Sequence, residues 1–211
     1  MKKFCALLTL VLALGVLPGC SSKAPALSEI YDRVVELVEA SYEMNEIFYG
    51  DGLPYYDREL SIYSSMYSDF ATEGYTKDYN IVSDLAKFHS VEEIKLAAEQ
   101  VYSRELLEEV VYPSAFTGLL VSGASGSQYV NARYVQSDTD FYIYAGESGL
   151  NAPTPLVYDY ASMQIVRPSN GERVLVSMTA WEEDSPESPT AVTLTLTRSE
   201  DGVWLLDSLT V

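Results

Sequence analysis

Thr190-Ala191-Val192-Thr193-Leu194-Thr195-Leu196-Thr197 alternates apolar and polar residues with a period of two. Val192, Leu194 and Leu196 fall on one side of an extended chain, and Thr193, Thr195 and Thr197 on the other. One side suits a core and the other suits water. The same period runs through much of the chain from Tyr129 onward. Val130, Ala132 and Tyr134 share one face of a candidate strand, and Phe141 to Ala145 makes another. Ala161–Val166 and Val174–Trp181 flank Ser169-Asn170-Gly171, a strong turn signal. Asp201-Gly202 forms the last turn before a strand expected over Val203–Thr210. Only short connections join these segments, so they should pair as an antiparallel meander rather than through parallel crossovers.

The preceding half has helical spacing. Ile30, Val34, Leu37, Val38, Met44 and Phe48 recur as one face of a helix expected over 29–48. Ser28 is its expected N-cap, Glu29 and Asp32 occupy the favourable first turn, and Gly50-Asp51-Gly52-Leu53-Pro54 stops it. Ser90-Val91-Glu92-Glu93 reads as a capping box opening a helix to Tyr102. Ser103 can cap a further helix over Arg104–Val111, which Pro113 limits. The tyrosine-rich stretch 55–80 reads as loop with a short helix or strand. The fold class is therefore α+β: N-terminal helices packed on the apolar face of a curled antiparallel sheet.

The extreme N-terminus carries different information. Lys2 and Lys3 precede an apolar run from Phe4 to Leu17, too short for a permanent membrane helix and consistent with a secretion signal. It closes in Leu17-Pro18-Gly19-Cys20. That pattern resembles the lipobox of bacterial lipoproteins, in which the cysteine becomes the lipidated first residue. The resemblance implies three segments: a signal peptide over 1–19, a lipidated tether over 20–27, and a domain over 28–211. Because each buried methylene contributes about 0.8 kcal/mol, the diacylglyceryl group such a cysteine carries suffices for stable attachment to the outer face of the cell membrane. Ser21 follows where Asp would signal inner-membrane retention. With Cys5 in the signal and Cys20 lipidated, the domain has no disulfide, thiolate nucleophile or cysteine-ligated metal.

Composition narrows the partners. The chain holds 31 acidic against 13 basic residues, a net charge of −18. Such a surface repels nucleic acid and anionic headgroups, while a cationic partner is electrostatically permitted. His89, the only histidine, precedes the capping box with no carboxylates at a metal-site spacing, and reads as a solvated helix-end residue rather than a ligand or base. Asp138-Thr139-Asp140 and Glu182-Glu183-Asp184 read as hydrated turns rather than calcium loops. Ser122 to Ser127 reads as a flexible loop, without the lysine of a phosphate cradle. Neither Gly-Xaa-Ser-Xaa-Gly nor His-Glu-Xaa-Xaa-His occurs. The reading is of a non-catalytic chain without cofactor or metal. The 17 tyrosines serve either as structural rings or as a binding surface. Tyr49, Leu53, Pro54, Tyr55 and Tyr56 are the candidate binding surface, because the turn between them exposes several rings together.

Tyr42 to Tyr49 followed by Gly50-Asp51-Gly52-Leu53-Pro54, Phe88 to Tyr102, Arg104 to Val110 and Gly202-Val203-Trp204-Leu205-Leu206-Asp207 together resemble the IseA group of cell-wall DL-endopeptidase inhibitors. The closing segment, Gly202 to Asp207, also resembles that of the wider NTF2-like, cystatin-like superfamily. That resemblance implies a cone of helices held by a strongly bent antiparallel sheet. It also implies an accessory or binding role at the cell surface, regulating a cell-wall hydrolase. The alternative it leaves is an NTF2-like enzyme or small-ligand binder using the interior of the cone.

Overall fold

In the computed structural model, the described residues are 23–56, 60–62, 77–123, 126–136, 140–144, 154 and 156–210. The signal peptide, Cys20 and the start of the tether lie outside them, as do Asp138, Thr139 and residues 63–76 of the tyrosine-rich stretch. Helix α1 spans Leu27–Tyr49. All six apolar residues expected on its inner face are buried, together with Ile47. Its cap differs from expectation. Ser28 is exposed inside the helix, and the chain enters at Ala26, whose N–H donates to Glu29 Oε2 at 2.6 Å. The glutamate reaches back far enough to satisfy an end amide, so the helix starts two residues earlier than a serine cap at 28 would have allowed.

Helix α2 runs Val91–Ala98. Ser90 Oγ accepts from Glu93 N at 3.1 Å, but the Glu93 carboxylate accepts from His89 N at 2.7 Å, one residue before the expected partner. The helix stops short of Tyr102 because Val101–Ser103 is claimed by another element. Ser103 caps α3, Arg104–Leu106, by accepting from Leu106 N at 3.1 Å. Pro113 does not end this segment. The chain widens into π-helical turns at Leu107–Val111 and again at Pro113–Thr117. Proline at the first position of a turn forfeits no needed donor. Gly118, at φ +84°, ends the run by donating to Pro113 O at 2.8 Å.

The described residues hold ten strands, all paired antiparallel, as was expected only of those from Tyr129 onward: β1 Leu60–Ile62, β2 Lys77–Ile81, β3 Leu119–Gly123, β4 Gly126–Val130, β5 Tyr134–Gln136, β6 Phe141–Tyr144, β7 Leu156–Val166, β8 Arg173–Glu182, β9 Thr190–Arg198 and β10 Trp204–Leu206. They do not make one sheet. β1-β2-β6-β5 form one four-stranded sheet, β10-β9-β8-β7 form another, and β3-β4 stand as a separate hairpin. Neither large sheet closes or curls strongly, and no cone is seen among the described residues. The expected strand through Val130, Ala132 and Tyr134 is two strands. Val130 pairs with Leu119 in the hairpin, and Tyr134 pairs with Ile143 in the first sheet. Ser122 and Gly123 pair with Ser127 and Gly126 at the end of that hairpin, so these four residues are strand rather than free loop, while Ala124 and Ser125 lie outside the described residues. The final strand is also shorter than expected.

The second sheet has the cleaner alternation. Val174, Val176, Met178 and Ala180 of β8 are buried, as are Leu194 and Leu196 of β9. α1 lies across β7 and β10, while α2 and the Pro113–Thr117 turn lie against β5. The two sheets therefore contribute to one continuous core, with Tyr134 and Ile143 meeting the same cluster as Leu194 and Leu206. Each large aliphatic side chain taken fully into it contributes about 1.5–3 kcal/mol. β10 has a further neighbour: Tyr102 bridges Leu206 in parallel, Ser103 N donates to Leu206 O at 2.7 Å, and Leu206 N donates to Val101 O at 2.9 Å. This ladder is what ends α2 early.

A buried polar chain fastens α1 to the last described residues. Tyr102 OH donates to Asn45 Oδ1 at 2.7 Å, and Asn45 Nδ2 donates to Thr210 Oγ1 at 2.9 Å. Thr210 and Ser41 hydroxyls lie 2.5 Å apart, and Ser41 Oγ donates to Val38 O at 2.6 Å. With Ser41's proton on Val38, Thr210 must be the donor to Ser41, so donation runs in one direction from Tyr102 to the α1 backbone.

Candidate functional site

The turn after α1 is fixed from below before it presents anything above. Gly52 has φ +81°, a left-handed conformation that glycine alone adopts freely. Its N–H returns to Glu46 O at 3.1 Å, and Asp51 N donates to Glu46 Oε1 at 2.6 Å. Tyr134 OH sits in the hollow of the turn. It accepts from Leu53 N at 3.1 Å and donates to Ile47 O at 2.8 Å, so one phenol spans the end of α1 and the chain leaving it. The Arg133 guanidinium donates to Gly50 O from the same side.

Beyond the turn, Pro54–Tyr56 runs antiparallel to the end of β2. Tyr56 N donates to Ile81 O at 2.9 Å and Ser83 N donates to Pro54 O at 2.8 Å, with Tyr55 opposite Val82. This segment is therefore an edge of the first sheet, not a loose loop. Tyr55 is 43% exposed and Tyr56 41%. Tyr56 OH accepts from Asp84 N at 3.2 Å. Leu85, the next residue, is 90% exposed, the most open large apolar side chain among those described.

The five candidate residues thus divide. Pro54, Tyr55 and Tyr56 face outward. Leu53 does not belong to the surface: it is buried in the core beneath Tyr134's hydroxyl. Tyr49 is half-buried, edge-on to Phe48 at 6.3 Å between ring centres. Apolar residues flanking a glycine turn alternate between inward and outward, which a count of rings does not resolve. Leu85 was not singled out in the sequence, since a lone leucine between Asp84 and Ala86 carries no periodicity. Arg133 and Tyr134 support the turn from a strand some eighty residues away, beyond any local pattern.

The other candidates are placed without being brought together. His89 is exposed, and its backbone amide donates to the Glu93 carboxylate. Glu182, Glu183 and Asp184 are exposed where β8 turns toward β9. Among the described residues, no group of three or more His, Cys, Asp or Glu side chains could hold a metal ion, and no helix is long and apolar enough to cross a membrane.

Many tyrosines serve the interior. Tyr79, Tyr102, Tyr134 and Tyr158 are buried. Burial pushes the Tyr49 phenol up to about 12 from its ordinary value of 10, and raises Tyr42, Tyr102, Tyr134 and Tyr158 as well. The folded chain keeps these protons where the unfolded chain releases them. Their contribution to stability is whole below pH 10 and drains away as pH rises toward 12 and beyond. The urea midpoint is therefore expected to be flat with respect to these groups below pH 10 and to fall above it. Tyrosinate absorbance should rise in two stages: exposed rings first, buried rings only as the protein unfolds. A single early stage for all rings would contradict the burial.

No protein-family model matches this chain, and neither a curated protein nor a solved structure is significantly similar to it.

Proposed function

We propose that this chain is a non-catalytic lipoprotein, tied through Cys20 to the outer face of the cell membrane, whose domain binds an envelope protein through the Pro54–Tyr56 edge. The observation that carries the binding reading is the pairing of two outward tyrosines with a backbone held rigid beneath them. Tyr55 and Tyr56 stand exposed, while Tyr134 and Arg133 lock the turn that presents them. Rigid aromatic rings lose little conformational freedom on docking, which is why they dominate binding surfaces. The anchored location rests on Lys2-Lys3, the apolar run and Leu17-Pro18-Gly19-Cys20. The partner class, a cell-wall hydrolase, and kinship with the IseA and NTF2-like groups rest on the motifs quoted above and form part of the same proposal.

One fractionation experiment tests both halves. Wild type is expected in the membrane fraction, and Cys20→Ala is expected to remain unprocessed and lose stable lipid attachment. Cross-linked capture from wall-digested membranes should recover an envelope hydrolase with wild type and lose it with Tyr55→Ala/Tyr56→Ala. Unchanged processing and attachment of Cys20→Ala would remove the anchor. Capture indifferent to the tyrosines would remove the surface.

A further inference from the structure

We infer that the Pro54–Tyr56 edge takes its partner by strand addition: an extended segment rich in lysine or arginine lies along Tyr55 and bonds through its own main chain. The inference deepens the binding reading above and rests on it. In an antiparallel pair, residues alternate between those whose backbone groups face the partner strand and those whose groups face away. Pro54 O and Tyr56 N–H are both spent on β2. Tyr55, opposite Val82 with the bonds on either side of it, therefore turns its N–H and C=O outward. Val82 confirms the alternation, since its N–H leaves in the other direction to Phe141 O at 2.9 Å. Among the described residues nothing takes the Tyr55 amide or carbonyl.

Edges of this kind are usually blunted by lysine, by a bulge or by proline. Pro54 does not blunt this one. Its missing N–H would have faced β2, the side on which its carbonyl already bonds. A main-chain donor and acceptor turned outward at a residue with an exposed ring, and untaken among the described residues, is the arrangement that strand addition uses: backbone bonds give affinity and alternate side chains give selection.

Charge selects the occupant. The chain carries −18 overall. At the edge, Asp51 and Asp84 are exposed, and among the described residues Lys87 is already matched by a carboxylate, its Nζ 2.6 Å from Glu43. A basic strand is drawn to this edge and an acidic one is repelled.

The test uses a short synthetic peptide alternating lysine and valine, the same peptide with its amides N-methylated, and a glutamate–valine counterpart. Each is titrated into the isotopically labelled protein. The lysine–valine peptide is expected to shift the Tyr55 amide resonance and slow its hydrogen exchange. N-methylation, which removes the peptide's donors, should weaken binding about tenfold. The acidic peptide should not bind. Equal affinity of the N-methylated peptide, or binding that leaves Tyr55 exchange unchanged, overturns strand addition. If the hydrolase capture still depends on the Tyr55 and Tyr56 rings in that event, the surface reading stands without it. Protection of Tyr55 by the basic peptide with no tyrosine-dependent capture would instead retain strand addition and discard the hydrolase.

Discussion

Gly52→Ala is expected to destabilise the domain by about 2–5 kcal/mol and to abolish capture at the Pro54–Tyr56 edge. Two costs combine. The residue sits at φ +81°, where any side chain costs about 1–2 kcal/mol. A methyl group there would also lie 2.6 Å from Arg133 Nη2, 2.6 Å from Ile143 Cδ1 and 2.9 Å from the Tyr134 hydroxyl, all inside contact distance. Overpacking of this kind adds about 1–3 kcal/mol. The three atoms cannot yield independently, since the guanidinium and the phenol are the groups that hold the turn. Gly202→Ala is the control. Gly202 has the same φ of +81°, yet its nearest neighbour is Arg198 Nη2 at 3.4 Å, an ordinary contact distance. It should show the conformational cost alone, about 1–2 kcal/mol. Urea unfolding with an unchanged slope gives both values. Equal losses for the two variants would mean that the crowding beneath Gly52 has no energetic weight.

Asn45→Leu is expected to cost about 2–4 kcal/mol, because the change preserves bulk while stranding two groups. Tyr102 OH loses its acceptor and Thr210 Oγ1 loses a donor, both buried, where an unmet polar group costs about 1–3 kcal/mol. Thr210→Val severs the same chain one link further on. The double variant should be less destabilised than the sum of the singles, since each removes part of what the other needs. Amide exchange at Leu205 and Leu206 should quicken in either single variant, because Thr210 fastens that end of the chain to α1. A neutral Asn45→Leu, or strict additivity, would show that the four groups do not act as a unit.

The inner face of α1 was legible in the sequence because a 23-residue helix repeats its period often enough to outweigh local exceptions. The strands of the second sheet were legible for a related reason: β8 and β9 alternate without interruption, and Asn170 Oδ1 closes the turn before β8 by accepting from Glu172 N and Arg173 N. Failures occurred where a distant segment outbid a local signal. Val101–Ser103 continues the apolar spacing of α2, yet it is drawn to β10, more than a hundred residues away. Ala132 lies in register with Val130 and Tyr134, but its carbonyl is taken by the Tyr79 hydroxyl at 2.8 Å, where one strand ends and the next begins. At the candidate site, the rings were visible and their depth was not. Leu53 went inward because Tyr134, from another strand, claimed its amide.

The bonds from Thr210 back to Ser41 and Asn45 have a consequence for the order of assembly. They join positions 169 and 165 residues apart, and loops of that span close late. A polypeptide emerging from its N-terminus would have α1 early but could not seal it until the far end arrived. Such a nascent chain leaves Ser41 and Asn45 of α1 without their distant partner until Thr210 has been added.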